Sequence, residues 1–392
     1  MRRRLTRALL LAALAGTGPA GAQERMSQVG PAMGPAASAA NPAADSRGAD
    51  PSATDRPSSG LPATDLRAAY AGPPHTWPAP WIDPGVAFVE LVAAPPPSPR
   101  SEAAVLGGRL FRDRMLSADG TVACASCHDP AHGFSVPERV GRGMGGAAGR
   151  RNPPALFAVA ARPRLDWDGG GGVLSARVLA PLTAADEMGN AGLAPVIARI
   201  AASTHGLDFT RLFGAESVSP RTLAAVLGAY LETLDTPTRF DRFMAGDRAA
   251  LSDAEVSGLH LFRTRARCAN CHFGPRLTDE GFHNLRLSFF GEPGQDLGRL
   301  NVTGDAEDAG RFRTASLRHV SESAPFMHNG LFPTLEGVVN LYDRGGGEVW
   351  ARNAQEAARP LYREAARRSP HIRALGLTAG EKAALVAFLR AL

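Results

Sequence analysis

The sequence predicts a mainly α-helical protein made of two similar domains with long loops rich in glycine and proline. The first observation is an internal repeat, in which an apolar helical segment precedes a Cys-x-x-Cys-His motif. Residues 110–114 precede the motif at 124–128, and residues 261–265 precede the motif at 268–272. The second observation is that apolar residues recur mostly at helical spacing, while alternating strand patterns are scarce.

The first 22 residues have the pattern of a secretory signal peptide, beginning with four arginines among seven residues. An apolar run at 8–16 follows, and residues 20–22 are small, as a cleavage site requires. A membrane anchor is the alternative, but this run is about half of the ~20 residues that a helical span needs. We therefore expect secretion to the periplasm and no membrane span in the mature chain.

Charge and cysteine content limit the possible partners. The formal net charge of +5 falls to +1 when the four leader arginines are removed, so nucleic acid is not an expected partner. All four cysteines lie in the two Cys-x-x-Cys-His motifs, which leaves none for a structural disulfide.

Composition divides the rest of the chain into three parts. Residues 23–75 are dominated by Ala, Pro, Ser and Gly, which predicts a disordered tether. Residues 76–245 are assigned to an N-terminal domain and residues 246–392 to a C-terminal domain, one for each motif. Long loops such as 141–154 and 291–310 lie between their helices.

Capping signals place three of the helices. Ser252 and Glu255 form a capping box ahead of an apolar face that leads into the second motif. Thr378 and Glu381 repeat this pattern near the C-terminus. Ser219 caps a third helix, which begins with proline and has apolar residues along one face.

The Cys-x-x-Cys-His motifs carry the chemistry. In each, two thiols can form thioethers with the vinyl groups of one haem, and the adjacent histidine becomes an iron ligand. A zinc site would need two more thiol or imidazole ligands per motif, and a thioredoxin-like pair would leave the histidine unexplained. We therefore expect two covalent c-type haems in two cytochrome c-like domains. The residues that bind them are Cys124, Cys127, His128, Cys268, Cys271 and His272.

The sixth coordination position of each iron separates an electron carrier from an enzyme. A carrier has this position filled on both haems, whereas a haem that reacts with peroxide needs it open. The side chains that face each iron therefore decide the function.

A series of short segments accompanies the two motifs in a specific order. They are residues 124–130, 151–154, 167–169, Pro181, 187–188, 310–312, 324–330 and 334–336. In this order and spacing the chain, from about residue 100 to its C-terminus, resembles the bacterial di-haem cytochrome c peroxidase and MauG family.

The resemblance implies that peroxide reacts at the N-terminal haem and that the C-terminal haem stores or relays an electron. Peroxidases of the family often close the resting N-terminal haem with a histidine in the loop before the segment at 151–154. Here that loop, residues 141–149, has no histidine, and Met144 is its only soft ligand. We therefore expect the N-terminal haem to be open without prior reduction.

At the C-terminal haem the family places a distal ligand 17 residues after the proline of a Pro-aromatic-x-His motif. Counted from Pro325 this position is Tyr342, where peroxidases commonly have methionine and MauG-type members have tyrosine. Because tyrosine is a known haem ligand, the resemblance implies Tyr342 as the second axial ligand. Met327 and His328 are expected to shape the domain interface instead.

Three residues match further functional positions of the family. Glu187 matches a distal acid that moves a proton between the peroxide oxygens. Arg177 stands where the family usually has glutamine, and it either stabilises charge on the departing oxygen or points to solvent. Trp167 matches a tryptophan between the haems, and a buried packing residue is the alternative interpretation.

The resemblance also implies one calcium ion between the haems, held by Asn152 and the backbone carbonyls of Ser323 and Pro325. Asn152 is equally compatible with a turn. MauG oxidises its partner protein through a surface tryptophan, which is replaced here by Ala266. Action on the methylamine dehydrogenase precursor is therefore not expected.

Together these features predict a periplasmic di-haem enzyme that reduces H2O2 at the open N-terminal haem, with electrons relayed through the C-terminal haem. The expected donor is a small periplasmic protein, either a cytochrome c or a cupredoxin. One alternative is a MauG-type enzyme that uses peroxide equivalents to oxidise a side chain of a partner protein. The other is a non-catalytic di-haem electron carrier.

Overall fold

Helices dominate the computed structural model, which describes residues 63–392. The predicted signal peptide and residues 23–62 of the predicted tether lie outside the described residues. The mainly α-helical prediction is confirmed. The helices are α1 (Ala63–Ala69), α2 (Glu102–Phe111), α3 (Leu174–Arg177), α4 (Ala180–Thr183), α5 (Leu193–Ala201), α6 (Thr204–Phe213), α7 (Pro220–Leu231), α8 (Arg239–Met244), α9 (Asp253–Arg263), α10 (Leu300–Thr303), α11 (Leu335–Asp343), α12 (Ala354–Ala357), α13 (Tyr362–Ala366) and α14 (Ala379–Leu389).

The first core surrounds the helix pair α2 and α7, with α5 and α6 packed beside it. The two helices come so close at Gly107 that a Cβ atom there would lie 1.9 Å from the carbonyl oxygen of Val226. Only glycine permits this approach. The crossing buries apolar side chains of both helices, and α2 then leads into the first motif. These side chains are Leu106, Leu110, Leu223, Val226 and Leu227.

The second core repeats this arrangement with α9 and α14. At Gly258 a Cβ atom would lie 2.0 Å from the carbonyl oxygen of Ala384, so glycine is again required at the crossing. Gly107 and Gly258 both stand three residues before a Leu-Phe pair. The repeat in the sequence is therefore a repeat of helix pairs, each of which delivers one haem-attachment loop.

The three predicted caps are confirmed. The backbone N–H of Ser252 donates to Glu255 Oε2 (2.7 Å), and Ser252 Oγ accepts from the Glu255 N–H (3.3 Å), at the start of α9. Thr378 and Glu381 form the same reciprocal pair at α14. Ser219 Oγ accepts from the third backbone N–H of α7. These bonds satisfy helix-end donors that would otherwise lack partners.

The segment 63–92, here called the N-terminal strap, departs from the predicted organisation. The predicted tether extends to residue 75, but α1 begins at Ala63, and Leu66 and Tyr70 are buried in the second core. The prediction is therefore wrong for residues 63–75, because their apolar side chains find partners that lie far along the chain. Trp77 and Leu91 also join the second core, although they fall in the segment assigned to the N-terminal domain.

Polar contacts fasten the strap to α9. The guanidinium of Arg263, whose side chain is 1% exposed, donates to the Tyr70 hydroxyl (3.1 Å) and to the carbonyl oxygen of Pro78 (2.7 Å). Its other terminal nitrogen pairs with Glu90 Oε2 at 2.5 Å. A buried cation is costly without partners, and here three groups of the strap supply them.

The strap then crosses the second haem-attachment loop. The backbone N–H of Asp83 donates to Asn270 Oδ1 (2.7 Å), and Asn270 Nδ2 donates to the carbonyl oxygen of Trp81 (3.0 Å). Asn270 lies between the two cysteines of the second motif. The conformation of this motif therefore depends on residues almost 190 positions earlier in the chain.

A two-stranded sheet completes the second half. Strand β1 (Phe282–His283) pairs antiparallel with strand β2 (Phe312–Arg313), with Phe282 opposite Arg313 and His283 opposite Phe312. The sheet brings β2 next to the second motif. Among residues 63–392, no helix is long and apolar enough to cross a membrane.

Candidate active site

The two Cys-x-x-Cys-His motifs adopt the same local structure. Each begins as a short 3₁₀ turn, Cys124–Ser126 in the first motif and Cys268–Asn270 in the second. In both, the backbone N–H of the motif histidine donates to the carbonyl oxygen of the first cysteine at 2.9 Å. The turn therefore holds two thiols and one imidazole against the wall of one cavity, as attachment of a c-type haem requires.

Both motif histidines are oriented by a backbone carbonyl. His128 Nδ1 lies 3.0 Å from the carbonyl oxygen of Phe134, and His272 Nδ1 lies 2.9 Å from that of Leu277. A carbonyl accepts only, so Nδ1 carries the proton and Nε2 keeps its lone pair for a metal. Burial lowers the pKa of His128 to about 4, which favours the neutral, ligating form. The six attachment residues thus fit haem in both sites.

The carbonyl positions arise from unusual backbone conformations. Phe134 and Leu277 have φ values of 57° and 53°, in the left-handed region that side chains other than glycine rarely adopt. This equivalence between the two halves was not found from the sequence, because Phe and Leu have no pattern that signals a positive φ.

A cavity of about 1650 Å³, including its mouth, opens beside the first motif. Glu187, Arg177 and Trp167 all line it together with His128, so the structure brings the predicted catalytic residues to one site. Within residues 63–392, no second histidine lines this cavity. Met188, which also lies in the wall, is 2% exposed and belongs to the first core.

The Glu187 side chain has an unusual environment. Its Oε2 is buried and has no hydrogen-bond partner. Burial raises the pKa of Glu187, and the nearby Arg177 guanidinium partly opposes this. Arg177 is held by Asp166, whose Oδ1 accepts from Arg177 Nε at 2.7 Å. A carboxyl group with a free buried oxygen is suited to exchange a proton with a ligand in the cavity.

Met144 lies close to this site but points elsewhere. Its backbone N–H donates to the carbonyl oxygen of Glu187 at 2.7 Å. Its methyl carbon lies against Gly189, where a Cβ atom would be 2.3 Å away. Met144 is not among the residues that line the first cavity, and it packs on the first core.

A second cavity of about 1820 Å³, including its mouth, adjoins the second motif. Tyr342 of α11 lines it together with His272. Burial, and secondarily the neighbouring Cys271 and Cys268, raise the pKa of Tyr342 above its usual value. A bound cation such as iron would act in the opposite direction and favour the phenolate.

Met327 and His328 also line the second cavity. The His328 ring stacks on Phe312 with ring centroids 3.5 Å apart, and it meets the edge of Trp167 at 6.4 Å. Burial lowers the pKa of His328 to about 3. The structure thus places His328 in an aromatic stack close to Trp167.

The two cavities share one wall. Trp167 lines both cavities, and its indole Nε1 donates to the carbonyl oxygen of Asn152 at 2.8 Å. The side chain is therefore both packed and placed between the two sites. Sequence reasoning missed two arginines of the same wall. The residues that line both cavities are Asn152, Pro154, Ala155, Arg162, Trp167 and Arg313.

The three residues predicted to bind calcium, Asn152, Ser323 and Pro325, lie in the wall of the second cavity, and the calcium site stays a prediction. Asn152 is buried, with Nδ2 donating to the carbonyl oxygen of Arg139 (3.2 Å) and Oδ1 3.4 Å from Ser135 Oγ. Oxygen atoms of this kind are compatible with calcium.

Comparison with known proteins identifies the family. A family model described as di-haem cytochrome c peroxidase matches residues 101–249. Cytochrome-c peroxidase IdrP1 of Pseudomonas sp. (strain SCT) is 32% identical over 342 residues, which cover 79% of this chain and 86% of that protein. The chain belongs to the di-haem cytochrome c peroxidase family. The resemblance found from the sequence is thereby confirmed.

The relatives of this chain carry two kinds of name. Methylamine utilization protein MauG of Methylorubrum extorquens is 37% identical over 265 residues, 66% of this chain and 73% of that protein. Among solved structures, a MauG-like protein associated with microbial copper homeostasis has a TM-score of 0.67 and 32% identity, covering 80% of this chain and 95% of that one. The family is one of haem-containing oxidoreductases, and the prediction of an enzyme is confirmed.

Proposed function

We propose that this protein is a periplasmic peroxidase that reduces H2O2 at the N-terminal haem, with electrons relayed through the C-terminal haem. The observation that carries the proposal is Glu187, whose buried carboxylate oxygen has no partner in the cavity beside His128. A purely electron-carrying protein has no need of such a group, because burying a carboxyl without a hydrogen bond costs free energy.

The site residues divide the reaction between them. When bound, the haem of the first motif supplies an iron that receives peroxide and the electrons that cleave its O–O bond. Glu187 takes a proton from the near oxygen and returns it to the far one, so that water leaves. Arg177, fixed by Asp166 at 2.7 Å, supplies positive charge close to Glu187.

Trp167 supports an electron path between the two haem sites. It lines both cavities, so it lies on a direct path between the two haem sites. Electrons from a small periplasmic donor, a cytochrome c or a cupredoxin, would enter at the second motif and cross this wall. Calcium held by Asn152, Ser323 and Pro325 would stabilise the same region.

A MauG-type reaction is the second candidate, and Tyr342 favours it. Tyr342 lines the second cavity with His272, and its phenolate would serve as a second protein ligand of the haem bound there. Phenolate is a hard anionic ligand that stabilises oxidised iron, so this haem would hold an oxidising equivalent better than it would store an electron. A side chain of a partner protein would then be the reductant.

Two measurements on the purified di-haem protein test the proposal. Cyanide should bind one ferric haem, because one sixth position is open, and H2O2 should be consumed with a reduced cytochrome c or cupredoxin as donor. If neither ferric haem binds cyanide and peroxide is not consumed, the protein is an electron carrier. Consumption of H2O2 only when a partner protein is oxidised would favour the MauG-type reaction.

A further inference from the structure

Two arginines stand in the wall between the cavities without an assigned role. Arg162 follows a 3₁₀ turn at Val159–Ala161, and Arg313 lies in β2. Both line the first cavity and the second. They come from separate parts of the chain and place two positive charges at the one location that both haem sites share.

Arg162 has few partners of its own. Its Nη2 donates to the carbonyl oxygen of Phe157 at 2.6 Å, while its Nε is buried and has no hydrogen-bond partner. It makes no salt bridge within residues 63–392. Burial and, secondarily, the charge of Arg313 lower the pKa of Arg162 to about 9, with Glu280 and Asp235 acting in the opposite direction. Asp235 is already the acceptor of the Ala158 N–H.

Arg313 is only partly compensated. The residue is 3% exposed, and its Nε donates to the carbonyl oxygen of Asp166 at 3.1 Å. Its Nη1 lies 3.4 Å from Glu280 Oε2, and the same carboxylate lies 3.8 Å from Arg276 Nε. One carboxylate thus serves two guanidinium groups. Burial accordingly lowers the pKa of Arg313.

Such an excess of buried positive charge is stable only if anions join it. Removing an unpaired charge from water has a large free-energy cost, even after relaxation. The anions at hand are carboxylates of the cofactors, since each haem carries two propionates. A guanidinium presents its N–H groups in a fork that matches a carboxylate, and it stays charged when buried.

We propose that Arg162 and Arg313 form a carboxylate-binding site that holds haem propionates from both cavities. They are positioning residues, since they neutralise the propionates and orient the two haems across the shared wall. The proposal rests on the presence of two bound haems, and it does not depend on the reaction with peroxide.

Neutralised propionates raise the reduction potential of a haem, because nearby negative charge favours the ferric state. Arg162→Gln should therefore lower the potentials of both haems, while Arg162→Lys, which keeps the charge, should lower them less. We expect a shift of at least tenfold in the reduction equilibrium of one haem, about 59 mV for one electron. Spectroelectrochemical titration without peroxide measures it, so failure here is distinct from failure of the proposed reaction.

Arg164→Gln is the matched control. Arg164 is two residues away, exposed, and stacked over Phe282 at 5.8 Å, and it lines neither cavity. Its substitution should leave both potentials unchanged. Equal potentials in Arg162→Gln and in wild type would overturn the proposal.

A measurement on the wild-type protein keeps the proposal testable if Arg162→Gln does not fold. The propionate bending modes in resonance Raman spectra depend on hydrogen bonds to the carboxylates. Exchange into D2O should shift these modes, and Arg162→Lys should alter them while leaving the haem content unchanged. Propionate modes that are insensitive to D2O in the wild type would show that no exchangeable N–H group binds them.

Discussion

At Glu187 two influences act against each other. Burial raises the pKa of the carboxyl group, and the positive charge of Arg177 lowers it, with burial the larger cause. The net effect moves ionisation towards neutral pH, where a proton can be both taken and returned. The sequence alone identifies Glu187 only through its resemblance to a family position. Its free buried oxygen depends on the folded cavity.

Glu187→Gln should slow the reaction with H2O2 by about 10²–10⁴-fold, because an amide cannot carry the proton. In the wild type, the rate of the peroxide reaction should rise with pH as Glu187 ionises. This rise should occur at a higher pH than for an ordinary glutamate, and it should be absent from the pH–rate profile of the variant. Stopped-flow measurement of the peroxide reaction tests both. Glu232→Gln, an exposed change at the residue that caps the C-terminus of α7, is the control. A variant as fast as the wild type would remove Glu187 from the mechanism.

Tyr342 decides between the two candidate reactions. If its phenolate binds the second iron, the diferric enzyme should react with H2O2 without prior reduction. Tyr342→Met introduces a soft ligand that favours ferrous iron, so the potential of that haem should rise and activity should come to depend on pre-reduction. Redox titration and activity before and after reduction measure these effects.

Tyr362→Met is the matched control for this substitution. Tyr362 packs on Phe290 and does not line the second cavity. The Tyr362→Met variant should keep the wild-type absorption spectrum and the wild-type reduction potential of the C-terminal haem. If wild-type protein needs a reductant first, or Tyr342→Met leaves the spectrum unchanged, Tyr342 is not the ligand, and the ordinary peroxidase reaction is favoured.

At the scale of the elements, the helix starts follow from local chemistry. The capping boxes at Ser252 and Thr378 could be predicted because both partners lie within four residues. The close crossings at Gly107 and Gly258 could not, since each depends on a helix more than 100 residues away. In the sequence, a glycine inside a helix shows only that a side chain is absent. The backbone of the neighbouring helix, which leaves no room for a side chain there, is seen only in the folded structure.

Gly258→Ala should destabilise the protein. The new Cβ atom would lie 2.0 Å from the carbonyl oxygen of Ala384 and 2.7 Å from Phe388 Cβ, so α9 and α14 must separate. Overpacking of this kind costs about 1–3 kcal/mol, which outweighs the gain in helix propensity of up to ~1 kcal/mol. Denaturant titration of the holoprotein provides the free energy of unfolding.

Gly228→Ala in α7 is the control for the crossing. A Cβ atom there meets nothing within 4 Å, so the substitution should stabilise the protein by about 0.5–1 kcal/mol. Opposite signs for the two substitutions would establish that the crossing, and not helix propensity, requires Gly258. Equal effects would contradict this explanation.

For the molecule as a whole, both haems should be covalent. After acid–acetone extraction the protein should keep two haems per chain, because thioethers at Cys124, Cys127, Cys268 and Cys271 resist this treatment. Absorbance of the pyridine haemochrome before and after extraction counts them. When both cysteines of one motif are replaced by alanine, the haem of that motif should be absent or extractable by acid–acetone. The other haem should remain bound to the protein. Loss of a haem from the wild type would mean that one motif is unused.

The arrangement of the two sites could not be predicted from the sequence. The motifs identify the haem-binding residues individually, because those residues lie within five positions of one another. The shared wall is assembled from Asn152, Trp167 and Arg313, which come from loops and a strand widely separated in the chain. Arg162 and Arg313 belong to no motif, so only the folded cavities show that they face both sites.

The N-terminal strap has a consequence for the maturation of the protein. Its Trp81 and Asp83 bind Asn270 between the cysteines of the second motif, so the docked strap covers the loop that must be modified. The ligation machinery has to reach Cys268 and Cys271 while this loop is still accessible. Attachment of haem before the strap docks would avoid this obstruction.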